Sequence, residues 1–377
     1  FRAGLPSETP STAGLNTLHC SLLPQGTGTL TGSAFAQEVE SLGASLRASS
    51  GNNSSILSSF CLKPDLPRLL DLARDVLLDP GLREDDFSRQ RDVQLADLRE
   101  ALDDPVKTAF REMRQALFGA QHYGLRRLGT EESLAGLSPD IIRAHHQNIF
   151  RADNGVLALF GDLEPDQVLP LLEEQFSALP EGAPDPVPPC SVEGSGEIST
   201  TLDRQQAVLA IGFPGAAVDS PDAAALELIH EHCSNMAGPL FGRIREELGL
   251  AYFVSATQFH GIGTGLFSFY LGTAPEQLDL ARRELLAAIA RLAEEGIPDD
   301  ELAAAKNTVV AGDALQNQSN RSMAQTCAIN TLFGLGENHH EENLDRIKAL
   351  THGEIREVAA KYFGSREPVI ATVLPKE

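Results

Sequence analysis

The sequence predicts an α+β protein made of two similar domains that follow one another along the chain. Short motifs of the first half recur in the same order 208 to 215 residues later. A stretch rich in proline and glycine lies between the two halves and has no apolar periodicity. Helical periodicity and short strand-like runs occur in both halves. These observations indicate two copies of one α+β unit.

The internal repeat sets the expected domain boundaries. Four motif pairs carry it: Leu72-Ala73-Arg74 with Leu280-Ala281-Arg282, Asp85-Asp86 with Asp299-Asp300, Leu117-Phe118-Gly119 with Leu332-Phe333-Gly334, and Ile149-Phe150 with Tyr362-Phe363. One such match would be weak evidence of a repeat. Four matches in the same order at nearly the same spacing are stronger evidence. We predict a first domain at residues 1–183, a linker at 184–199 and a second domain at 200–377.

Composition narrows the classes of partner. The 377 residues are enough for two domains of about 150 to 200 residues, each with its own core. A formal net charge of -23 disfavours nucleic acid and anionic membranes as partners, but it tolerates basic peptides. No run approaches the roughly 20 apolar residues that span a bilayer. Five scattered cysteines are expected to be reduced thiols. An arginine-rich composition with abundant alanine, glycine and leucine suggests a bacterial protein of the cytoplasm or periplasm.

The first half is predicted to be mainly helical. Apolar periodicity marks helices at residues 13–23, 34–42, 64–78, 84–101, a continuation past Pro105 to 118, 139–149 and 165–176. Proline and glycine at Pro24 and Gly26 end the first helix, and Pro105 interrupts the fourth. Alternating runs at residues 45–49 and 54–62 flank Gly51-Asn52-Asn53, a pattern typical of a hairpin. A further strand is predicted at residues 155–160.

The second half opens with a predicted strand at residues 201–213. Its counterpart in the first half would lie before Phe1, so we expect the first domain to start in the middle of its sheet and the chain to be a piece of a longer protein. Glycines at Gly261, Gly263 and Gly265 lie in a predicted hairpin, and no helix follows that could bind a phosphate.

A corner between a helix and a strand is the main candidate site. Phe241, Ile244 and Leu248 have the spacing of one helix face, Gly249 closes the helix, and a β-rich run follows. Arg245 and Tyr252 lie on either side of this corner. A guanidinium and a phenol held there are two hydrogen-bond donors that can meet on one oxygen of a substrate. The alternative is that neither residue binds a substrate, with Arg245 a solvated charge on the helix and Tyr252 a half-buried ring that only packs.

The same corner resembles the pitrilysin, insulinase and mitochondrial processing peptidase family of zinc peptidases. The family pattern runs Arg-Leu-Phe-x-x-[IL]-Arg-Glu-x-x-Gly-Leu-Ala-Tyr, and the chain departs from it at Pro239. The matching residues are Leu240, Phe241, Ile244, Arg245, Glu246, Gly249, Leu250, Ala251 and Tyr252. The resemblance implies mostly antiparallel sheets packed with helices, arranged as half of a clam shell. It also implies that Arg245 and Tyr252 contact the substrate carbonyl.

The resemblance also implies a peptide-binding strand in the first domain. In the family, an extended peptide adds to an edge strand at the position of Leu46, Arg47, Ala48, Ser49 and Ser50. Short serine and alanine side chains leave the backbone of this strand open to a peptide. We expect the peptide substrate to pair with it.

The zinc motif of the family is degenerate in this chain. The family has an inverted H-x-x-E-H on a helix, followed about 75 residues later by a glutamate ligand. Between Gly14-Leu15-Asn16 and Gly26-Thr27, the five motif positions read Thr17, Leu18, His19, Cys20 and Ser21, and the distal position falls near Asp97. His19 and Cys20 point about 100° apart on a helix and cannot bind one metal together. We therefore expect no metal in this chain and a zinc ion in a partner half.

The expected function is that of a zinc-free half of a peptidase, inactive by itself. It would be the C-terminal half of a long chain or, as the second choice, a separate subunit, and its partner would be a zinc-bearing half of the same family. A first alternative is an inert structural subunit of the cytochrome bc1 core-protein type. A second alternative is a self-sufficient enzyme with Cys20 as nucleophile. The histidine pairs His145-His146, His230/His232 and His339-His340 are expected on helix surfaces and not as metal ligands.

Overall fold

The computed structural model describes residues 1–187, 189–192 and 194–376. The chain forms two compact units that interleave along the sequence. Unit 1 contains Phe1–Leu98, Leu125–Pro188 and Gln316–Asn338, and unit 2 contains Arg99–Gly124, Pro189–Leu315 and His339–Glu377. Each unit thus includes a segment from the other half of the chain, whereas the sequence analysis placed one boundary at a linker. Pro188 of that linker lies outside the described residues, as does Glu193.

The first half contains eight α-helices within the described range. They are α1 Leu15–Leu22, α2 Gly32–Ser41, α3 Leu66–Leu78, α4 Glu84–Asp103, α5 Pro105–Phe118, α6 Glu131–Gly136, α7 Pro139–Ile149 and α8 Pro165–Phe176. The predicted interruption at Pro105 is confirmed, because Asp104 caps α5 by accepting the amides of Val106 and Lys107 at 2.8 and 3.1 Å. Strands β1 Ser45–Ser50 and β2 Ser55–Phe60 form the predicted antiparallel hairpin.

The predicted strand at residues 155–160 is wrong, because this described segment belongs to no strand. A strand needs a hydrogen-bonding neighbour, and the described sheet of unit 1 contains β1 and β2 only. The apolar character of the segment was read correctly, since Leu157 and Phe160 are large hydrophobic residues, yet 49% and 37% of their surfaces are exposed.

The second half contributes strands and helices to unit 2 and one helix to unit 1. Its elements are β3 Gly196–Leu202, β4 Ala207–Gly215, α9 Ala223–Ser234, a π-helix Phe241–Glu247, β5 Phe253–Phe259, β6 Gly265–Thr273, α10 Leu278–Glu295, α11 Asp299–Gln316, α12 Asn320–Leu332, α13 His339–Ala349, α14 His352–Ala359, a second π-helix Ala360–Gly364 and β7 Val369–Pro375. The strand predicted at residues 201–213 is two strands, β3 and β4, because the polar run 203–206 turns the chain between them.

Unit 2 is built on a five-stranded sheet in the order β3-β7-β4-β6-β5. All neighbouring pairs are antiparallel except β3 and β7. Helix α5 packs on β4 closely enough that a Cβ on Gly212 would lie 2.5 Å from the Met113 sulfur. Buried residues of β4, β6, α9, α10 and the corner segment form one core. No described helix combines the length and apolarity needed to cross a bilayer.

The internal repeat appears as two equivalent aromatic pairs. In unit 1 the rings of Phe1 and Phe150 are 4.5 Å apart, and in unit 2 those of Phe213 and Phe363 are 5.3 Å apart. Phe150 and Phe363 come from the motif pair identified in the sequence. Antiparallel hairpins β1/β2 and β5/β6 occur in the two units, and α12 packs near β2 with Arg321 over the Phe60 ring. The prediction of one α+β unit used twice therefore agrees with the packing inside each unit.

Candidate functional site

The corner that carries Arg245 and Tyr252 is firmly anchored in the core of unit 2. Ile244 is fully buried, and Leu250 and Ala251 are nearly so. The Leu250 amide donates to the Ile244 carbonyl at 2.9 Å, while its own carbonyl accepts the Thr273 hydroxyl at 2.6 Å. Gly249 has φ of 62°, the left-handed conformation that favours glycine at the end of a helix. The backbone on both sides of the two candidate residues is therefore fixed.

The helix at this corner has π geometry. The Leu248 amide donates to the carbonyl of Arg243, five residues earlier, at 3.2 Å. Segments of this kind are rare and occur frequently at functional sites. Arg243 pairs with Glu247 at 2.7 Å and lies 3.5 Å from Glu284. Arg243 is thus held by carboxylates within unit 2.

Arg245 and Tyr252 both point to solvent. The guanidinium carbon of Arg245 lies 4.7 Å from the centre of the Phe241 ring, a cation–π contact, and the side chain remains exposed. Tyr252 starts the pairing with β6 through its amide, which donates to the Gly272 carbonyl at 2.8 Å, and its side chain is 55% exposed. The two donors therefore sit on a rigid corner and are accessible to a ligand, as a substrate-binding role requires.

Strand β1 places the predicted peptide-binding residues at a sheet edge. Leu46 faces the core, Arg47 and Ser49 are exposed, and Ala48 and Ser50 are half-buried. In the described part of unit 1, β1 pairs only with β2, so its other side has unpaired backbone groups. Arg321 of α12 donates to the Ser45 hydroxyl at 2.8 Å and covers one end of the strand. The edge is available to an extended peptide over its remaining length.

The degenerate zinc positions on α1 are engaged in bonds within unit 1. The Thr17 hydroxyl donates to the Arg127 carbonyl at 2.8 Å, and the Ser21 hydroxyl donates to the Leu18 carbonyl at 2.8 Å. Cys20 is buried and its sulfur lies 3.6 Å from the Ser55 hydroxyl. Leu18 is fully buried and carries no metal ligand. Within the described part of the chain, these side chains therefore leave no pair of unengaged metal ligands on this face of α1.

The distal position is also unsuited to a metal. Asp97 of α4 is exposed. The buried residue of α4 next to α1 is Gln94, whose amide nitrogen donates to the carbonyls of Gly14 and Leu128 at 3.0 and 3.1 Å. Hydroxyls and a neutral amide are poor replacements for the imidazole and carboxylate ligands of zinc. These side chains do not fit a zinc ion. Among the described residues, no three His, Cys, Asp or Glu side chains could hold a metal.

A buried histidine cluster occupies the core face of α1 instead. His19 Nε2 lies 2.9 Å from His146 Nδ1, and His146 Nε2 lies 2.9 Å from the Leu77 carbonyl. Since that carbonyl only accepts, His146 carries its proton on Nε2, and His19 must donate to the bare Nδ1. His19 Nδ1 is then an acceptor, and it is buried without a partner among the described atoms. His145 Nε2 lies 2.9 Å from the Asn16 side-chain oxygen.

A buried carboxyl group completes this polar network. Glu8 accepts the amides of Gly14 and Asn16 at 3.0 and 2.7 Å and so caps the start of α1. Asn16 connects this cap to the histidines, because its side-chain nitrogen donates to Glu8 while its oxygen faces His145. Burial raises the pKa of Glu8 to about 7 despite these hydrogen bonds. The charge of this group is therefore sensitive to pH near neutrality.

Burial keeps the histidines and Cys20 uncharged at neutral pH. It lowers the pKa of His145 and of His146 to about 4, and it lowers that of His19 well below its usual value, with the neighbouring imidazoles adding to the effect. Burial also raises the pKa of Cys20 to about 11. A nucleophilic cysteine needs a thiolate at working pH, so the alternative of a Cys20 enzyme has no support.

The expectation that the histidine pairs lie on helix surfaces is wrong for His145, His146 and His232, which are all buried. The signal in the sequence was periodicity. Ile142, His145, His146 and Ile149 have the spacing i, i+3, i+4, i+7 of one buried helix face. Because histidine was counted as a polar residue, this helix face was not recognised as a buried one. It buries neutral imidazoles together with the isoleucines. The Glu8 cap had no comparable signal in the sequence.

Sequence profiles and relatives agree with the resemblance. The profile of the peptidase M16 inactive domain matches residues 136–309, and that of insulinase, peptidase family M16, matches residues 1–131. An uncharacterized zinc protease of Rickettsia bellii is 24% identical over 376 residues, which cover 97% of this chain and 88% of that protein. An uncharacterized zinc protease of Streptomyces coelicolor is 24% identical in an alignment of 381 positions, which covers 99% of this chain and 83% of that protein.

Solved structures agree with the fold. A crystal structure of a peptidase M16 inactive domain from Pseudomonas fluorescens has a TM-score of 0.93 at 22% identity, covering all of this chain and 91% of that one. A protease from Helicobacter pylori has a TM-score of 0.88 at 17% identity, covering all of this chain and 93% of that one. The predicted fold class and the resemblance seen at residues 240–252 are thus confirmed, and the chain belongs to peptidase family M16, the insulinase family.

Proposed function

We propose that this chain is a zinc-free half or subunit of an M16 metallopeptidase. It binds peptide and presents Arg245 and Tyr252 to a metal centre held by a partner of the same family. The observation that carries the proposal is a contrast within the chain. The zinc-motif positions on α1 are buried or bonded internally, whereas Arg245 and Tyr252 are exposed on an anchored corner. A chain with this arrangement has no metal chemistry of its own but retains substrate-binding donors.

The proposed role of the pair is to stabilise charge. When a peptide carbonyl is attacked, negative charge develops on its oxygen, and fixed donors aimed at that oxygen lower the barrier. The guanidinium of Arg245 supplies a permanent positive charge, and the Tyr252 hydroxyl supplies a neutral donor. The partner's zinc supplies the Lewis acid and the activated water. Residues Leu46, Arg47, Ala48, Ser49 and Ser50 of β1 bind the extended backbone of the peptide by strand addition.

The alternative function is an inert structural subunit of the bc1 core-protein type. The degenerate α1 motif is equally compatible with it. Exposed Arg245 and Tyr252 disfavour it, because a scaffold has no need to hold two donors on a π-helical corner facing solvent.

Metal content and peptidase activity test the proposal that this chain has no metal chemistry of its own. Protein incubated with excess ZnCl2 and then dialysed should retain well under one zinc per chain by plasma mass spectrometry. It should also leave a quenched fluorescent peptide intact. One tightly held zinc per chain, or cleavage that a chelator abolishes, would contradict the proposal.

Reconstitution with a zinc-bearing partner tests the proposal that this chain contributes substrate-binding donors to that partner. The partner sample is an M16 protein of the same organism that retains an intact H-x-x-E-H motif. We expect peptide cleavage by that protein to rise when this chain is added. Unchanged cleavage by a mixture that forms a complex on gel filtration would favour the structural alternative.

A further inference from the structure

Two arginines lie close together on one face of the β1/β2 hairpin in unit 1. Residues paired across an antiparallel hairpin point to the same face, so Arg47 shares its face with Ser45 and Ser58. Arg321, in the first turn of α12, reaches this face because its guanidinium donates to the Ser45 hydroxyl at 2.8 Å. Ser45 and Arg47 are two residues apart, about 7 Å along the strand. The two side chains thus border one patch, which we call the arginine face.

The charges of the arginine face are not compensated within unit 1. Over the described residues of that unit, Arg321 contacts a hydroxyl and the Phe60 ring, which lies 5.4 Å from its guanidinium carbon, but no carboxylate. Exposed Arg47 has neither a hydrogen bond nor an ion pair there. By contrast, Arg68 and Arg143 form ion pairs with carboxylates. The arginine face is therefore a local positive patch on a chain with a net charge of -23.

The fold itself does not require these two charges, as the internal repeat shows. The second residue of β1 and that of β5 are both buried, so the third residues, Arg47 and Ser255, occupy equivalent positions. The motif spacing of 215 residues that relates α5 to α12 places Val106 at the position of Arg321. Unit 2 thus has the same hairpin and an equivalent helix with uncharged residues at both positions. The arginines of unit 1 are available to a ligand.

A peptide strand added to β1 would place every second side chain on the arginine face. The side chain directly opposite Arg47 would have its Cβ about 5 Å from that of Arg47, and a glutamate there is long enough to reach Arg321 as well. The net charge of the chain favours basic peptides at a distance. At physiological ionic strength, however, charges are screened beyond about 8 Å, so the two nearby arginines decide which side chain is favoured at this position.

We propose that the arginine face makes the β1 edge selective for peptides with an acidic side chain at the position opposite Arg47. The inference rests on the proposed function, in which β1 binds an extended peptide, and it adds the chemical class of that peptide. Arg47 supplies the opposite charge across the strand pair, and Arg321 supplies a second donor from the side of Ser45. Serine and alanine fill the other positions of β1, so no other charged side chain of this strand competes for the peptide.

Peptides that differ in one charge test the selectivity. The probes are acetylated, amidated seven-residue peptides of alternating threonine and valine with glutamate, glutamine or lysine at the centre. Binding to the full chain is followed by fluorescence anisotropy, and hydrogen exchange at residues 46–50 shows whether the peptide adds to β1. We expect the glutamate peptide to bind about fivefold to tenfold more tightly than the glutamine peptide, since each exposed ion pair contributes modestly. The lysine peptide should bind more weakly than both.

Variants of the chain assign the preference to the two arginines. Arg47→Gln and Arg321→Gln should each reduce the ratio of glutamate to glutamine affinity to about threefold, and the double variant should reduce it to about one. Arg47→Lys keeps the charge and should keep most of the preference. Arg143→Gln removes the same charge from α7 of unit 1 and should leave the ratio unchanged. In about 500 mM NaCl the ratio should fall below about twofold.

A glutamate preference that depends on both arginines and accompanies slower exchange of β1 supports the proposal. Equal protection of β1 by the three peptides would overturn the selectivity and leave the peptide-binding role of β1 intact. If none of the peptides protects β1 at millimolar concentration, the selectivity and the strand-addition role both fail. Tighter binding of the glutamate peptide without protection of β1 would also overturn the proposal, because the arginines would then attract anions without selecting a paired strand.

Discussion

Lowering the pH from 7 to 4.5 should destabilise unit 1, because the histidine cluster on α1 and α7 is folded in its neutral form. His19 Nε2 and His146 Nδ1 are 2.9 Å apart and share one proton. A second proton would place two imidazolium ions in contact in a buried site. The nearest carboxyl group of the network is Glu8, which is linked to His145 only through Asn16.

The size of the effect follows from proton linkage. The pKa of His145 and that of His146 are lowered from 6.5 to about 4. As the pH falls, each imidazole is therefore protonated in the unfolded chain at a higher pH than in the folded chain. Their contribution to stability is complete above pH 6.5 and is lost as the pH drops toward 4. Each bound proton changes the free energy of unfolding by about 1.4 kcal/mol per pH unit. His19 acts in the same direction.

Glu8 acts in the opposite direction in part of this range. Its folded pKa is raised from 4.5 to about 7, so between these values the folded chain binds the extra proton. Three histidines against one carboxyl group give a net release of two protons on folding between pH 6.5 and 4.5. The free energy of unfolding of unit 1 should therefore fall by about 2.7 kcal/mol per pH unit, or roughly 5 kcal/mol over the range. Such a loss is comparable with the whole stability of many domains.

Two substitutions with opposite predicted effects make the assay specific. His145→Gln keeps a donor for Asn16 but removes one titrating group, so the slope should fall to about 1.4 kcal/mol per pH unit. Glu8→Gln removes the opposing group, so the slope should rise to about 4 kcal/mol per pH unit.

The measurement is urea unfolding followed by circular dichroism at several pH values, with hydrogen exchange of α7 reporting on unit 1 alone. A free energy of unfolding that does not change between pH 6.5 and 4.5 would refute the reasoning. A change of slope in the same direction for both variants would also refute it.

Three further predictions test other parts of the structure. Gly212→Val should destabilise unit 2 by about 1 to 3 kcal/mol in urea unfolding, because the new side chain meets the Met113 sulfur. Iodoacetamide at pH 8 should leave buried Cys20 and Cys233 unmodified and label half-buried Cys327, as read by mass spectrometry, because burial raises the pKa of the first two to about 11 and about 12. Hydrogen exchange of β1 should slow in a saturating extended peptide if the edge binds it, whereas unchanged exchange would reject that role.

Much of the fold follows from local patterns in the sequence. The apolar periodicity predicts α7 and α8 with the bounds that the structure has, and Pro105 correctly separates α4 from α5. Gly249 at positive φ and the buried Ile244 could also be inferred, because helix ends and helix faces depend on neighbouring residues. The correspondence of Phe150 with Phe363 was likewise visible as a spacing, whereas that of Phe1 with Phe213 was not among the motif pairs.

The features that sequence reasoning missed depend on distant contacts. Residues 155–160 have the apolar character of a strand, but strand formation needs a neighbour that local sequence does not supply. The exchange of α5 and α12 between the units is a matter of tertiary packing, and no local pattern marks it. The polar network around His19 and Glu8 joins groups more than 100 residues apart. The sequence could therefore have predicted only the buried helix face that carries His145 and His146, and not the contacts of the network.

The turnover of a reconstituted complex containing Tyr252→Phe tests the central claim most directly. This change removes one exposed hydroxyl and keeps the ring. Tyr270→Phe on β6 is the matched control for loss of a tyrosine hydroxyl elsewhere in unit 2. With the zinc-bearing partner in excess, we expect Tyr252→Phe to lower kcat about 10² to 10³-fold with a much smaller change in KM, and Tyr270→Phe to leave kcat near the wild-type value. Equal turnover of Tyr252→Phe and wild type would contradict the claim and identify the chain as a structural subunit.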